Sequence, residues 1–254
     1  MKKYWNIFTD KFGDSIIHPQ FIMLSKTRRG PRLIKKYLKK NATILDIGPG
    51  RMRYRDDLVR NGFQYHSLDH PSLYKLYDSN IRPDFLVDVN QKLPLKSNSY
   101  DAVCLFQLLE YLDNPEKTFK EIYRILKPKG WVFVTSPFLY PIHDFDYDKN
   151  RFTQIRILNL LENTKLKIII SEVHGNFFEF WFQSLIIFLF RKIMNFQENK
   201  DWKFWRVFLS LICIFFITPF VVLINLLSLI SRSEITNQKN IHFPLNYLFV
   251  ARKN

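Results

Sequence analysis

The run Thr43-Ile44-Leu45-Asp46-Ile47-Gly48-Pro49-Gly50 decides how this chain is read. A strand-like apolar pattern ends in an acidic residue and two glycines. Glycines let the backbone turn tightly and approach a ligand with no side chain in the way. A purely structural turn has the same appearance, so the surroundings must decide. A dinucleotide site wants a third glycine three residues after Gly50; Arg53 stands there, which disfavours a pyrophosphate cradle.

Outward from this run, short apolar segments alternate with helical patterns. The segments are Tyr65–Leu68, Phe85–Val87, Ala102–Phe106 and Trp131–Thr135. Pro115 to Leu126 reads as a helix with Phe119, Ile122, Tyr123 and Leu126 on one face, ended by Lys127-Pro128-Lys129-Gly130. Thr153 can cap a helix through Leu161, and Lys167–Val173 and Asn246–Ala251 supply two further strands. Strands alternating with helices imply parallel pairing and a doubly wound α/β sheet. Ligands in such sheets bind beyond the carboxyl ends of the strands.

Three acids fall at such ends. Asp46 closes the first strand. Asp69 follows Tyr65–Leu68, 19 residues past Gly50, where a carboxylate can accept two hydrogen bonds from a ribose diol. Asp88 follows Phe85-Leu86-Val87. Each alone reads equally well as a cap or loop carboxylate; three in succession beside one glycine turn do not.

With Tyr100-Asp101, Leu109-Glu110-Tyr111 and Leu126-Lys127-Pro128-Lys129-Gly130 following in order, residues 42–173 resemble the class I S-adenosylmethionine (SAM) dependent methyltransferases. The resemblance implies a mostly parallel seven-stranded sheet and SAM as cofactor. It implies cofactor contacts from Asp46, Gly48, Gly50, Asp69, Asp88, Val89 and Gln107, and no metal. Met52 replaces the family's usual third glycine, which makes the loop less open. Because the sulfonium is already a strong methyl donor, the protein's task is in-line positioning and control of acceptor protonation.

The acceptor side is read from the long polar-aromatic segment after Thr135. It resembles the family's His…Tyr-Asp…Arg-aromatic-Thr segment through His143, Tyr147, Asp148, Arg151 and Thr153, while Lys149-Asn150 replace the usual aromatic pair, pointing to a polar or anionic acceptor. His143 is the candidate general base, with a structural hydrogen-bonding role as its alternative. Asp148 with Arg151 either clamps the loop or holds substrate, and clamping is the favoured role.

Val207–Ile230 is a different kind of sequence: 24 residues without a charge, with Pro219 at its middle. Basic and aromatic residues (Arg191, Lys192, Lys200, Trp202, Lys203, Trp205, Arg206) separate it from a shorter apolar stretch, Asn176–Phe190, as at a membrane–water boundary. Asn246–Ala251 must return to the same sheet, so a single crossing is excluded. The insert therefore forms a hairpin, crosses an even number of times or lies in one leaflet, and a break at Pro219 would allow two half-length helices to dip in and out. A soluble helical lid or dimer interface is the alternative.

The net charge is +15, and residues 1–60 hold 15 Lys/Arg against 5 Asp/Glu. No zinc spacing and no aromatic-glycine RNA signature accompanies this charge, so nucleic acid is the weakest partner class. The two cysteines, Cys104 and Cys213, have neither metal nor disulfide spacing, which suits a reducing cytoplasm.

The expected organisation is a basic helical lead-in (1–41), a SAM-binding core (42–175), a hydrophobic membrane-associated insert (176–240) and the last strand (241–254). The expected activity is methylation of a hydroxyl on a lipid-linked or cell-surface glycan at the cytoplasmic face of a membrane, as in a bacterial small-molecule branch. Methylation of a prenylated quinone or other lipid is the alternative, and a non-catalytic membrane scaffold is the second.

Overall fold

The computed structural model describes residues 12–13, 15–76, 82–142, 146–198, 203–230 and 243–254. In chain order the elements begin with helices α1 (Phe21–Thr27) and α2 (Arg29–Tyr37), strand β1 (Thr43–Ile47), helix α3 (Arg55–Arg60) and strand β2 (Gln64–Asp69). There follow β3 (Phe85–Leu86), β4 (Tyr100–Phe106), α4 (Pro115–Ile125), β5 (Leu126–Pro137), α5 (Gln154–Asn163) and β6 (Leu166–His174). Helices α6 (Phe177–Glu198) and α7 (Lys203–Ile230) precede the last strand, β7 (Asn246–Lys253). The chain divides into two compact units, one of Thr27–Phe138, Ile142–His174 and Asn246–Asn254, the other of Met1–Lys26, Leu139–Pro141 and Gly175–Leu245.

The first unit is built on one seven-stranded sheet of order β3-β2-β1-β4-β5-β7-β6. The pairs among β1 to β5 are parallel; β7 runs antiparallel to both β5 and β6. The strand order reverses between β1 and β4, which puts the switch point at the carboxyl ends of these two strands. Period-two alternation sorts the side chains. Ile44, Ala102, Cys104, Phe133, Leu248 and Val250 form one core with Leu33 and Ile34 of α2 and Leu58 of α3. Leu45, Val103 and Val132, each 0% exposed, point to the opposite face.

Local signals set the helix starts. Asn114 Oδ1 accepts from Lys117 N at 3.0 Å with Pro115 in the first turn of α4, and Thr153 Oγ1 accepts from Arg156 N at 3.3 Å at the start of α5. Helix α4 ends at Ile125, with Leu126 N donating to Ile122 O, directly before Lys127–Gly130. These four residues bulge within β5, between the pairs Tyr100↔Leu126 and Ala102↔Trp131.

In the second unit α6 and α7 pack with α1 around Phe21, Ile22, Ile186, Val221, Ile224 and Leu245. Helix α7 runs through Pro219 without the expected break. The proline lies on the exposed side, while Val221 and Ile224 hold the following turn in the core. Among the described residues no helix is long and apolar enough to cross a membrane.

Candidate active site

The turn after β1 is built as its glycines require. Gly48 has φ +68°, and a Cβ there would lie 2.5 Å from Leu108 Cδ1. Gly50 has φ +53°, and a Cβ there would meet nothing within 4 Å, so its Cα faces open space. Gly48 N donates to Leu68 O at 2.8 Å, tying the turn to the end of β2. Met52, in place of a third glycine, is held at φ +52° and is 5% exposed: it adopts a glycine's backbone geometry with its side chain buried.

Asp46 and Asp69 meet at this turn. Asp69 is 4% exposed; its Oδ2 accepts from Gly50 N at 3.1 Å and its Oδ1 from His70 N at 2.8 Å. Asp46 is 2% exposed; its Oδ2 accepts from the Tyr65 hydroxyl at 2.7 Å, while its buried Oδ1 has no hydrogen-bond partner. Burial pushes the Asp46 carboxyl up to about 7; the Tyr65 bond opposes the rise and the Asp69 charge adds to it. A buried acid with an unmatched oxygen beside an open glycine turn calls for a cation or donor from outside.

Asp88 lies just past β3, whose exit is fixed by the bond from Val87 N to Asp69 O at 2.9 Å. Its Oδ1 accepts from Asn90 N and Nδ2 at 2.9 and 3.0 Å, and Asn90 Oδ1 in turn accepts from Asp113 N at 2.8 Å. Val89 O accepts from Thr118 Oγ1 at 3.4 Å. Gln107, at φ +57° past β4, gives its Nε2 to Thr135 Oγ1 and Asn246 Oδ1, both at 2.9 Å. That side-chain nitrogen positions the strand ends.

In the acceptor segment Arg151 forks onto Asp148, whose side chain is 0% exposed, with Nη2 to Oδ2 at 2.7 Å. Lys149 N and Asn150 N both donate to Glu110 O, at 2.9 and 3.1 Å; Asn150 Nδ2 donates to Leu112 O at 2.8 Å, and Lys149 pairs with Asp113. Lys149 and Asn150 therefore fasten the loop to the turn after β4, so their polarity does not describe the acceptor. Tyr147 is exposed. His143 lies outside the described residues.

Sequence reasoning left one residue without a role. Glu110 is 1% exposed, and neither carboxylate oxygen is hydrogen-bonded to another residue. Burial pushes it up to about 8, with Arg151 opposing and Asp148 adding to the rise. The available signal was an acid in the turn that directly follows β4.

Comparison with known proteins agrees with this arrangement. Residues 45–134 match the family model described as a methyltransferase domain. The ubiquinone biosynthesis O-methyltransferase of Xanthomonas oryzae pv. oryzae (strain PXO99A) is 28% identical over 102 residues, 37% of this chain and 43% of that protein. The sterol 4-C-methyltransferase strm-1 of Caenorhabditis elegans is 35% identical over 72 residues, 28% of this chain and 20% of that protein. The chain thus spans less than half the length of these relatives. The structure of a SAM-dependent methyltransferase from Archaeoglobus fulgidus superposes with TM-score 0.56 at 17% identity, covering 98% of this chain and 100% of that one. Residues 45–134 are thus similar to a methyltransferase domain, and the fold is that of SAM-dependent methyltransferases, whose cofactor is SAM. The orphaned Asp46 Oδ1 and the open face of Gly50 fit that cofactor's ammonium and its close backbone approach.

Proposed function

We propose that this chain transfers the methyl group of SAM to a hydroxyl of a lipid-linked acceptor at the cytoplasmic face of a membrane. The observation that carries the reading is the meeting of Asp46, Asp69 and Gly50 at the end of β1, with Asp46 Oδ1 unmatched. When bound, SAM supplies an electrophilic methyl on a sulfonium. Asp46, as the ionised carboxylate, would hold the cofactor's ammonium. Asp69 holds the Gly50 turn and would hold the ribose diol. The Asp148–Arg151 pair and the bonds to Glu110 O set the loop that orients the acceptor. In the transfer a C–S bond breaks, a C–O bond forms, and the hydroxyl proton passes to a base. His143 is the proposed base.

A prenylated quinone phenol is the acceptor the comparisons support, because relatives over residues of this domain are O-methyltransferases of ubiquinone biosynthesis. A glycan hydroxyl is the second reading, supported by the His143…Tyr147-Asp148…Arg151 segment and its likeness to bacterial branch members. Calorimetric titration with SAM, followed by incubation of the full chain with labelled SAM and membrane lipid extract, tests both. The expected outcome is saturable SAM binding and label in a lipid-extractable product whose head is phenolic. Label in a saccharide head selects the glycan. Absence of SAM binding overturns the methyltransferase reading, and near-normal turnover by His143→Ala removes His143 as base.

A further inference from the structure

The helical unit carries its polarity in the order opposite to that of a water-soluble bundle. Along α6 from Phe177 to Phe190, the exposed side chains are Phe177, Phe178, Trp181, Leu185 and Phe188, all apolar and 41–57% exposed. The polar Glu179 and Gln183 on the same helix are 1% and 2% exposed. Helix α7 repeats the pattern. Phe215 and Phe216 are 75% and 71% exposed, with Phe220, Leu223 and Leu227 following on the same helical stripe, whereas Asn225 and Ser228 are 0% and 1% exposed.

The buried polar groups have fixed tasks. Gln183 Nε2 donates to Pro19 O at 2.8 Å and its Oε1 accepts from Met23 N at 3.2 Å. Asn225 Nδ2 donates to Ile16 O at 2.6 Å and to His18 O at 3.2 Å. Glu179 pairs with Lys26 at 2.8 Å. The inner faces of both helices are thus committed to binding the preceding segment of the chain, and the apolar stripes are committed outward.

Contiguous exposed apolar stripes of this length belong to an interaction surface. A protein partner would meet a polar rim around the apolar centre. Among the described side chains of Phe177–Phe190 and Ile212–Leu229, no exposed residue is polar. Acyl chains need no rim. The sequence between the stripes, residues 191–206, holds five cations and two acids, a net +3 of the sign an anionic lipid surface attracts, and the exposed Lys192 lies 5.6 Å from the Phe188 ring.

We infer that the helical unit docks on an anionic lipid bilayer, with the outward stripes of α6 and α7 immersed in one leaflet. The pairing of β6 with β7 brings both ends of the insert back to one sheet, hence to one side of the bilayer. No described helix is long and apolar enough to cross. The inference rests on the helical unit and stands whether or not the acceptor is lipid-linked.

Sedimentation of the full chain with phosphatidylcholine vesicles, with and without phosphatidylglycerol, tests it. The chain is expected to pellet with the anionic vesicles, less so at high salt. Combined Phe188→Ser, Phe215→Ser and Phe216→Ser, all at exposed positions that leave the core intact, is expected to weaken partitioning at least ~10-fold, because each ring loses its apolar contact with lipid. SAM affinity, read by calorimetry on the same variant, is expected to stay unchanged, so that loss of lipid binding and loss of the cofactor site are told apart. A wild-type chain that stays in the supernatant with anionic vesicles, or a triple variant that partitions like wild type, overturns the inference. A lipid-free dimer abolished by the same substitutions would assign the stripes to a second copy and overturn it equally.

Discussion

The sheet unit and the helical unit both bury polar groups, but for different ends. In the sheet unit the buried acids Asp46 and Glu110 keep oxygens without partners and are pushed up to about 7 and 8. Such groups cost stability and persist where something outside the fold completes them. In the helical unit Gln183 and Asn225 are neutral amides whose donors reach backbone carbonyls, and the one buried oxygen they leave unmatched, Asn225 Oδ1, carries no charge. These hold the chain together. The exteriors differ in the same sense: the exposed large apolar residues of the sheet unit, such as Val59, Ile155 and Ile169, are scattered, whereas those of α6 and α7 are continuous. The groups proposed to act in the first unit lie at strand ends, and those proposed to act in the second lie along two helix faces.

The widest separation between the units is in what an aromatic side chain contributes to stability in water. Phe133, 1% exposed on β5, fills the core beside Ile44 and Cys104. Phe133→Ala is expected to cost about 3–5 kcal/mol in denaturant unfolding. Phe215, 75% exposed, has almost nothing to lose in lipid-free buffer, and Phe215→Ser is expected to stay within about 0.5 kcal/mol of wild type. A large loss at Phe215 in buffer would mean that the stripe is already covered by protein, and the contrast would fail.

Asp46 separates stability from binding. Its carboxyl is raised in the folded chain from its ordinary 3.8 to about 7, so between these values the folded state holds the extra proton. By linkage, stability is lost as pH rises from about 4 to about 7 and stays low above. Asp46→Asn keeps an acceptor for Tyr65 and removes the ionisation. It is expected to raise stability at pH 8 by about 2–4 kcal/mol, with the gain vanishing near pH 4. The same change is expected to weaken SAM binding and to abolish the tightening of SAM affinity between pH 6 and 8. Thermal unfolding and calorimetry across pH check both. A variant that binds SAM like wild type would detach the unmatched oxygen from the cofactor.

How much of this was legible depended on whether the cause was local. Strands β1 and β4 are buried along most of their length, so their apolar runs stood out, and Pro115 and Thr153 marked two helix starts. The Lys127–Gly130 segment read as a helix stop because proline and glycine punctuate locally; that it bulges within β5 depends on register against β4, a tertiary fact. Lys149 and Asn150 read as acceptor residues by position, yet their bonds run to Glu110, Leu112 and Asp113, some 40 residues back. Glu110 carried no local signal of its burial. The apolar content of the insert was plain, but its inverted faces were not: an outward apolar stripe and an inward polar one have the same period as the reverse arrangement.

That ambiguity of period is what Asn225 resolves. In a bundle with an ordinary apolar core, replacing a buried amide by an apolar side chain of similar volume is neutral or stabilising, since the amide's desolvation is removed. In the helical unit Asn225 Nδ2 is the donor to both Ile16 O and His18 O. Asn225→Leu would leave these carbonyls short of a donor, at a cost of about 1–3 kcal/mol. The effect should be local, so it is best read by hydrogen exchange in residues 15–23. Protection there is expected to fall about 5- to 150-fold while the β-strand amides are unchanged. The sign is the discriminating quantity. Increased protection would show the interior of the helical unit to be apolar in energetics as well as in most of its residues, and the two units would then differ only in what their surfaces touch.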